Sequence, residues 1–149
     1  MQSVASEGQI IMQAQQHILL IEDDEVDVMT VRRSLRDLGV EYPLDQVSDG
    51  EAGLAFLRDP ANPRPGLILL DLNMPRMNGI EFLAVLKQDP LLKRIPVVVL
   101  TTSQEETDRM ASFDQNVSGY MLKPVDYPQF VRTMQVIRDY WSTSEGAPN

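Results

Sequence analysis

Four short runs of consecutive apolar residues punctuate the chain, and a polar residue follows each of them. In chain order they are Ile18–Ile21, Leu67–Leu70, residues 97–100 and residues 120–122. Runs of this length that are apolar throughout are typical of strands buried on both faces, as in a parallel sheet. A further segment, Leu44–Val47, can form a short strand after the first run. The pattern therefore predicts a five-stranded, mainly parallel sheet.

Between the strands the apolar residues recur every three or four positions, which indicates amphipathic helices. The two clearest sets of apolar positions are Val28, Val31, Leu35 and Leu38, and Phe130, Met134, Ile137 and Trp141. Three further helices are predicted over residues 51–58, from Gly79 to the residue before Pro90, and over about residues 104–115. Alternating strands and helices predict an α/β fold with right-handed crossovers and helices on both faces of the sheet.

Length and composition narrow the interpretation. The 149 residues suffice for one domain, which we place at residues 17–141, with a loosely ordered N-terminal extension over 1–16 and a flexible C-terminal tail over 142–149. A net charge of −9 argues against a nucleic-acid partner. The chain has no cysteine, which excludes disulfides and thiolate metal sites. Neither a signal peptide nor a membrane span is predicted, so we expect a cytoplasmic protein.

Chemically active residue types follow four of the predicted strands. They are Glu22 and Asp23 after the first, Asp71 after the third, Thr101 at the end of the fourth and Lys123 after the fifth. Because the carboxyl ends of parallel strands share one edge of the sheet, we expect these side chains to converge there. Crowded carboxylates repel one another unless a cation joins them, and Mg²⁺ prefers oxygen ligands. Cation binding and phosphoryl transfer are the chemistry that this set favours.

Each residue also has an ordinary structural interpretation. The acidic cluster can begin the following helix, where negative charge is favoured, and Asp24 can be the cap while its two neighbours face the cleft. Asp71 alone can make a turn, and Lys123 can be a surface residue at a strand end. Thr101 suits a strand, and Tyr120 is more often half-buried packing than a switch. A nucleotide-phosphate loop is disfavoured, because the acids would repel the phosphates and no G-x-x-x-x-G-K-[ST] sequence is present.

Four motifs occur in a specific order along the chain. They are Glu22-Asp23, the segment LDLNMPRMNG at 70–79, Thr101-Thr102-Ser103, and GYMLKP at 119–124. Together they resemble the receiver domain of two-component response regulators over about residues 17–141. The resemblance implies a flavodoxin-like, doubly wound sheet with strand order 2-1-3-4-5 and five helices. The stretch at 95–103 and the second-strand region are also similar to small, single-domain regulators paired with cyanobacterial and bacterial phytochromes.

The resemblance implies a magnesium-dependent phosphoryl transfer. Asp71 would accept a phosphoryl group from the phosphohistidine of a sensor histidine kinase, which would be of the phytochrome type. Asp23, Asp71 and the backbone carbonyl of Asn73 would bind Mg²⁺, and Glu22 would act through a water molecule. The chain would then be a signalling protein whose only catalysis is its own phosphorylation and dephosphorylation.

The resemblance also implies how the phosphoryl group is read. Lys123 would neutralise the phosphoryl oxygens, and Thr101 would donate a hydrogen bond to them. Tyr120 would turn inward as Thr101 moves. The residue after Thr101 is usually small in this family, and Thr102 is slightly larger, which narrows access to the site.

Two other functions are compatible with parts of the pattern. An aspartate-nucleophile phosphohydrolase of the haloacid-dehalogenase type would need a second aspartate two positions after Asp71, where Asn73 stands. A pure interaction module would have lost one of the site residues, and none is missing. For a signalling protein, the expected partner is a downstream protein or a phosphotransfer protein. A second copy of the chain is also expected to bind, through the apolar residues Val131, Val136 and Tyr140 of the last helix.

Overall fold

Five strands and five helices alternate along residues 17–145, which the computed structural model describes, with side chains described for residues 17–141. The strands are β1 Ile18–Ile21, β2 Leu44–Val47, β3 Leu67–Leu70, β4 Val97–Thr101 and β5 Gly119–Leu122. The helices are α1 Glu25–Asp37, α2 Gly50–Arg58, α3 Gly79–Gln88, α4 Glu106–Asp114 and α5 Tyr127–Glu145. All strand pairs are parallel and their order is β2-β1-β3-β4-β5. The predicted doubly wound α/β fold is confirmed.

The residues of β1, β3 and β4 are buried on both faces of the sheet, as their continuous apolar runs predict, whereas those of the edge strands β2 and β5 are only partly buried. Alternate residues point to opposite faces of a strand, so each strand contributes to two cores. One core packs strand side chains against α2 and α3, and its members include Leu19, Ile21, Ile68, Leu70, Leu54, Phe82 and Leu86. The other packs the alternate strand residues against α1 and α5, and its members include Leu20, Leu69, Val31, Leu35, Phe130, Met134 and Trp141. The sheet is thus the rigid middle layer that positions the loops at its carboxyl edge.

The register of the strands decides which polar residues meet. Ile21 pairs with Leu70, and the backbone N–H of Asp71 donates to the carbonyl of Ile21 at 3.0 Å. Glu22 and Asp71 therefore lie side by side at the carboxyl ends of two neighbouring strands. On the other side, the backbone N–H of Lys123 donates to the carbonyl of Thr101 at 2.8 Å, which brings the last strand into line with the fourth.

Helix caps fix the loops at this edge. Asp24 caps α1 by accepting a hydrogen bond from the backbone N–H of Asp27 at 3.0 Å, which confirms its predicted role. Asn78 and Glu81 form a capping box at the start of α3. At Gly79 a side chain would meet the Asp71 carbonyl and the Leu72 backbone at 2.7 Å, so only glycine lets α3 begin this close to the site.

The element boundaries differ from the sequence prediction at two helices. The fourth helix covers only Glu106–Asp114 rather than 104–115, and the last helix continues to Glu145 rather than ending at residue 141. Residues 142–145, which we assigned to the tail, are therefore helical. The predicted extension over 1–16 and the end of the tail, 146–149, lie outside the described residues. Within residues 17–145, no helix is long and apolar enough to cross a bilayer.

Candidate functional site: a carboxylate pocket and its lysine

Three carboxylates meet where β1 and β3 end. Glu22, Asp23 and Asp71 each offer an oxygen atom, and these atoms lie within 4.8 Å of one another. Glu22 and Asp71 are buried, whereas Asp23 is exposed. Oxygen ligands at this spacing on a partly buried site suit a hard divalent cation such as Mg²⁺.

Asp71 follows β3 directly and carries a buried carboxylate. The side chain is almost entirely buried, and its Oδ1 atom has no hydrogen-bond partner among the described residues. A buried carboxylate oxygen without a donor is energetically unfavourable, so it calls for a cation or another ligand. The residues present therefore fit a divalent metal ion at this position.

An open depression lies beside these carboxylates. Its lining residues are Asp23, Leu72, Asn73, Met74, Pro75, Asn78, Ile80 and Asp108. The depression thus contains one of the three carboxylates and the segment that follows Asp71 in the chain. Asn73, whose backbone carbonyl we predicted as a ligand, lies in this lining together with Asp23.

Lys123 lies among carboxylates at the end of β5. Its Nζ donates hydrogen bonds to Oε1 of Glu22 and, at 2.8 Å, to Oδ2 of Asp27, and its side chain is only 7% exposed. Oδ2 of Asp71 is 3.8 Å away, which is an ion pair but too long for a hydrogen bond. The ammonium group is therefore beside Asp71 but bonded to two other acids.

Burial and charge shift two pKa values in this cluster. Burial raises the pKa of Glu22 to about 7, and the charge of Asp71 adds to this rise while the hydrogen bond from Lys123 opposes it. Burial by itself lowers the pKa of Lys123, but the hydrogen bonds to Asp27 and Glu22 outweigh it, so the pKa rises above its usual value. The lysine therefore stays charged at neutral pH.

Thr101 and Tyr120 are connected through the loop after β4. Thr101 is fully buried, and its Oγ1 accepts a hydrogen bond from the backbone N–H of Ser103 at 3.3 Å. The hydroxyl of the half-buried Tyr120 donates to the Ser103 carbonyl at 2.9 Å. The Ser103 hydroxyl donates to Oδ2 of Asp108 at 2.7 Å. One loop residue thus contacts both of the residues that we predicted as switch elements.

The structure brings the predicted site residues to one sheet edge, and it adds one that the sequence interpretation missed. The sequence interpretation did not single out Asp27, which accepts a hydrogen bond from Lys123. No local sequence signal identifies it, because Lys123 is 96 residues away in the chain. Asp24, by contrast, is the cap as predicted.

Comparisons with known proteins agree with this geometry. The family described as the response regulator receiver domain matches residues 18–135. Response regulator Rcp1 of Synechocystis is 43% identical over 128 residues, which cover 83% of this chain and 87% of that protein. These matches give no support to the phosphohydrolase alternative.

Solved structures are similar over the same region. The phosphorylated cyanobacterial phytochrome response regulator RcpA superimposes with a TM-score of 0.82 at 39% identity, covering 90% of this chain and 99% of that one. The Mn²⁺-bound form of Rcp1 superimposes with a TM-score of 0.81 at 40% identity, with the same coverage. The bacteriophytochrome response regulator RtBRR does so with a TM-score of 0.66 at 37% identity, covering 80% and 76%.

Proposed function

Since the chain belongs to the family of response regulator receiver domains, which act in two-component phosphorelay signalling, we propose that Asp71 is its phosphoacceptor. The observation that carries this proposal is the buried Asp71 carboxylate: its Oδ1 has no hydrogen-bond partner within residues 17–141, and Lys123 and two acids surround it. A carboxylate oxygen without a hydrogen bond is free to act as a nucleophile.

The transfer is a displacement at phosphorus. An oxygen of Asp71 attacks the phosphorus of a phosphohistidine on a histidine kinase, the P–N bond breaks, and the imidazole keeps the bonding electron pair. An acyl phosphate on Asp71 results. In dephosphorylation water attacks the phosphorus and the P–O bond to Asp71 breaks. Inorganic phosphate is released, and the Asp71 carboxylate is restored. Such transfers depend on positioning and on neutralising charge, so few side chains need to react.

Three of the chain's residues would hold Mg²⁺ for this reaction. Asp23 and Asp71 supply carboxylate oxygens, Asn73 supplies its backbone carbonyl, and Glu22 acts through a water molecule. The bound ion supplies positive charge next to the transferring group. Lys123 supplies the remaining positive charge, since its ammonium is 3.8 Å from Asp71 and protonated.

Thr101 and Tyr120 would convert phosphorylation into a change of surface. The Thr101 hydroxyl donates to a phosphoryl oxygen, and this contact draws it away from the Ser103 backbone that it contacts now. Because Tyr120 bonds the same residue, its position changes with the loop. Added phosphate therefore shifts the balance between two arrangements of the loop after β4.

The relatives and the exposed face of α5 support a proposal for the partners. RcpA is a cyanobacterial phytochrome response regulator and RtBRR a bacteriophytochrome response regulator, so we assign the donor to a phytochrome-type histidine kinase in the cytoplasm. Val136 and Tyr140 are 56% and 47% exposed on α5. They suit a second copy of the chain or a downstream protein, including a phosphotransfer protein.

Intact-mass measurement after incubation with acetyl phosphate and Mg²⁺ tests the phosphoacceptor. We expect one added phosphoryl group, dependent on Mg²⁺, on the native chain and on the control variant Asp114→Asn, because Asp114 lies exposed at the end of α4. Asp71→Asn should gain none. An adduct on Asp71→Asn equal to that on the native chain, or no adduct on the native chain, contradicts the proposal.

A further inference from the structure

Asp27 makes a hydrogen bond that its place in the helix does not require. It is the third residue of α1, where an acidic side chain commonly reaches back to the backbone N–H of the cap residue. Here Oε2 of Glu22 accepts that hydrogen bond from Asp24 at 3.2 Å. The Asp27 carboxylate is thereby released from capping, and it bonds Nζ of Lys123 at 2.8 Å instead.

The lysine has limited bonding capacity. An ammonium group has three N–H donors, and Lys123 uses two of them on Glu22 and Asp27. A phosphoryl group on Asp71 would bring several further acceptor oxygens next to the same nitrogen. One donor remains for these oxygens, and a second bond to them requires Lys123 to release a carboxylate. Glu22 is buried, whereas the Asp27 side chain is 34% exposed, so Asp27 is the partner that water can replace.

We propose that Asp27 is a positioning residue that holds Lys123 in a resting place and competes with the phosphoryl group on Asp71 for it. The inference rests on the proposed function, since it requires a phosphoryl group at Asp71. Through Asp27, helix α1 would weaken the preference for the phosphorylated arrangement. Removing the competing carboxylate should strengthen the binding of a phosphoryl group.

The affinity for beryllofluoride, a non-covalent phosphoryl mimic, tests the competition. Asp27→Asn removes the charge and keeps the shape of the side chain. With Mg²⁺ present, we expect calorimetry to give a Kd for beryllofluoride about threefold to fivefold lower than for the native chain, as suits a partly exposed ion pair. An unchanged or higher Kd overturns the proposal. If Asp27→Asn fails to fold, Asp27→Ser removes the carboxylate in its place.

Glu25→Gln is the matched control. Glu25 lies in the same first turn of α1 and carries the same charge, but no ion pair joins it to Lys123 within the part of the chain that the structure describes. We expect its Kd for beryllofluoride to equal that of the native chain. Equal tightening in both variants would mean a general effect of negative charge and would overturn the assignment to Asp27.

A spectroscopic measurement separates positioning of the lysine from general stability. The ¹⁵N and ¹H signals of the Lys123 ammonium report its hydrogen bonds directly. We expect Asp27→Asn, without any phosphoryl mimic, to shift these signals and to speed their exchange with water, and Glu25→Gln to leave them in place. Unchanged Lys123 signals in Asp27→Asn would overturn the proposal.

The two proposals can fail separately. If the native chain forms no Mg²⁺-dependent adduct and binds no beryllofluoride, the phosphoacceptor function fails, and this inference fails with it. If the native chain does both and Asp71→Asn does neither, the function stands. An Asp27→Asn variant that matches the native chain then overturns the role of Asp27 alone.

Discussion

Glu22 is the most deeply buried of the three carboxylates at the site. Its side chain is buried beside Asp71, and the ammonium of Lys123 compensates it only in part, so its pKa rises to about 7 from 4.5. A raised pKa of a carboxyl means that the folded chain favours the protonated form. The stability that this gives is fully present below about pH 4.5 and is lost as the pH rises through about 7.

The affinity for a metal ion should rise with pH, whereas the stability that protonation of Glu22 provides falls with pH. Glu22 would act on the cation through a water molecule, and its charged form favours cation binding, so protonation of Glu22 opposes binding below about pH 7. We expect the apparent affinity for Mg²⁺ to fall by up to about tenfold for each pH unit below that value. Calorimetric titrations with Mg²⁺ across this range measure the fall, and Glu22→Gln should flatten it. A slope unchanged by Glu22→Gln would assign the titration to another group.

At the level of single residues, sequence reasoning finds the site by residue type and strand end. Asp23, Asp71 and Lys123 follow apolar runs, and parallel strands bring such positions together. Asp27 was missed because an acid in the first turn of a helix already has a sufficient explanation in the helix dipole. Its hydrogen bond to Lys123 depends on how α1 sits against β5, which no local pattern contains.

Two loops at the site edge are joined by an ion pair. The Asp49 carboxylate is buried at the start of α2, accepts from the backbone of Ala52 at 2.8 Å, and accepts from the exposed Arg76 at 3.1 Å. Arg76 belongs to the loop between β3 and α3, which follows Asp71. The ion pair therefore connects the loop that follows Asp71 to the start of α2.

Removing the arginine should destabilise the fold measurably, because it leaves a buried carboxylate with one bond fewer. We expect Arg76→Met, which keeps the side-chain stem, to lower the free energy of unfolding by about 1–2 kcal/mol. Arg109→Met is the control, since Arg109 pairs with Glu106 at 4.0 Å with both side chains exposed and should change it little. Urea denaturation measures both, and equal effects would contradict the argument.

The existence of each helix and strand was predictable, and the boundaries were less so. The fourth helix is polar and has no side-chain cap at Glu105, so nothing in the sequence marks its start sharply. The last helix runs to Glu145 because Ser and Thr at 142–144 tolerate helix, and the first helix-breaking residue is Gly146. Polar composition alone therefore does not mark the end of this helix.

At the scale of the whole molecule, the apolar runs predict that the strands are buried and parallel, but they do not determine which strands are neighbours. Each of β1, β3 and β4 is apolar throughout and can occupy the middle of a sheet that is covered on both faces. The observed order β2-β1-β3-β4-β5 was predicted from the resemblance carried by the motifs. Which strands pair depends on the whole folded chain, whereas the periodicity of apolar residues is a local property of the sequence.

The ion pair between Lys123 and Glu22 joins positions 101 residues apart, and two strands lie between β1 and β5 in the sheet. It can form only after β3 and β4 have been inserted, so we place it late in the folding reaction. Lys123→Met should then speed unfolding and leave the folding rate nearly unchanged, which stopped-flow kinetics in urea measures. A slower folding rate would place the pair in the transition state instead. The buried ammonium of Lys123 would thus also slow the opening of the native chain.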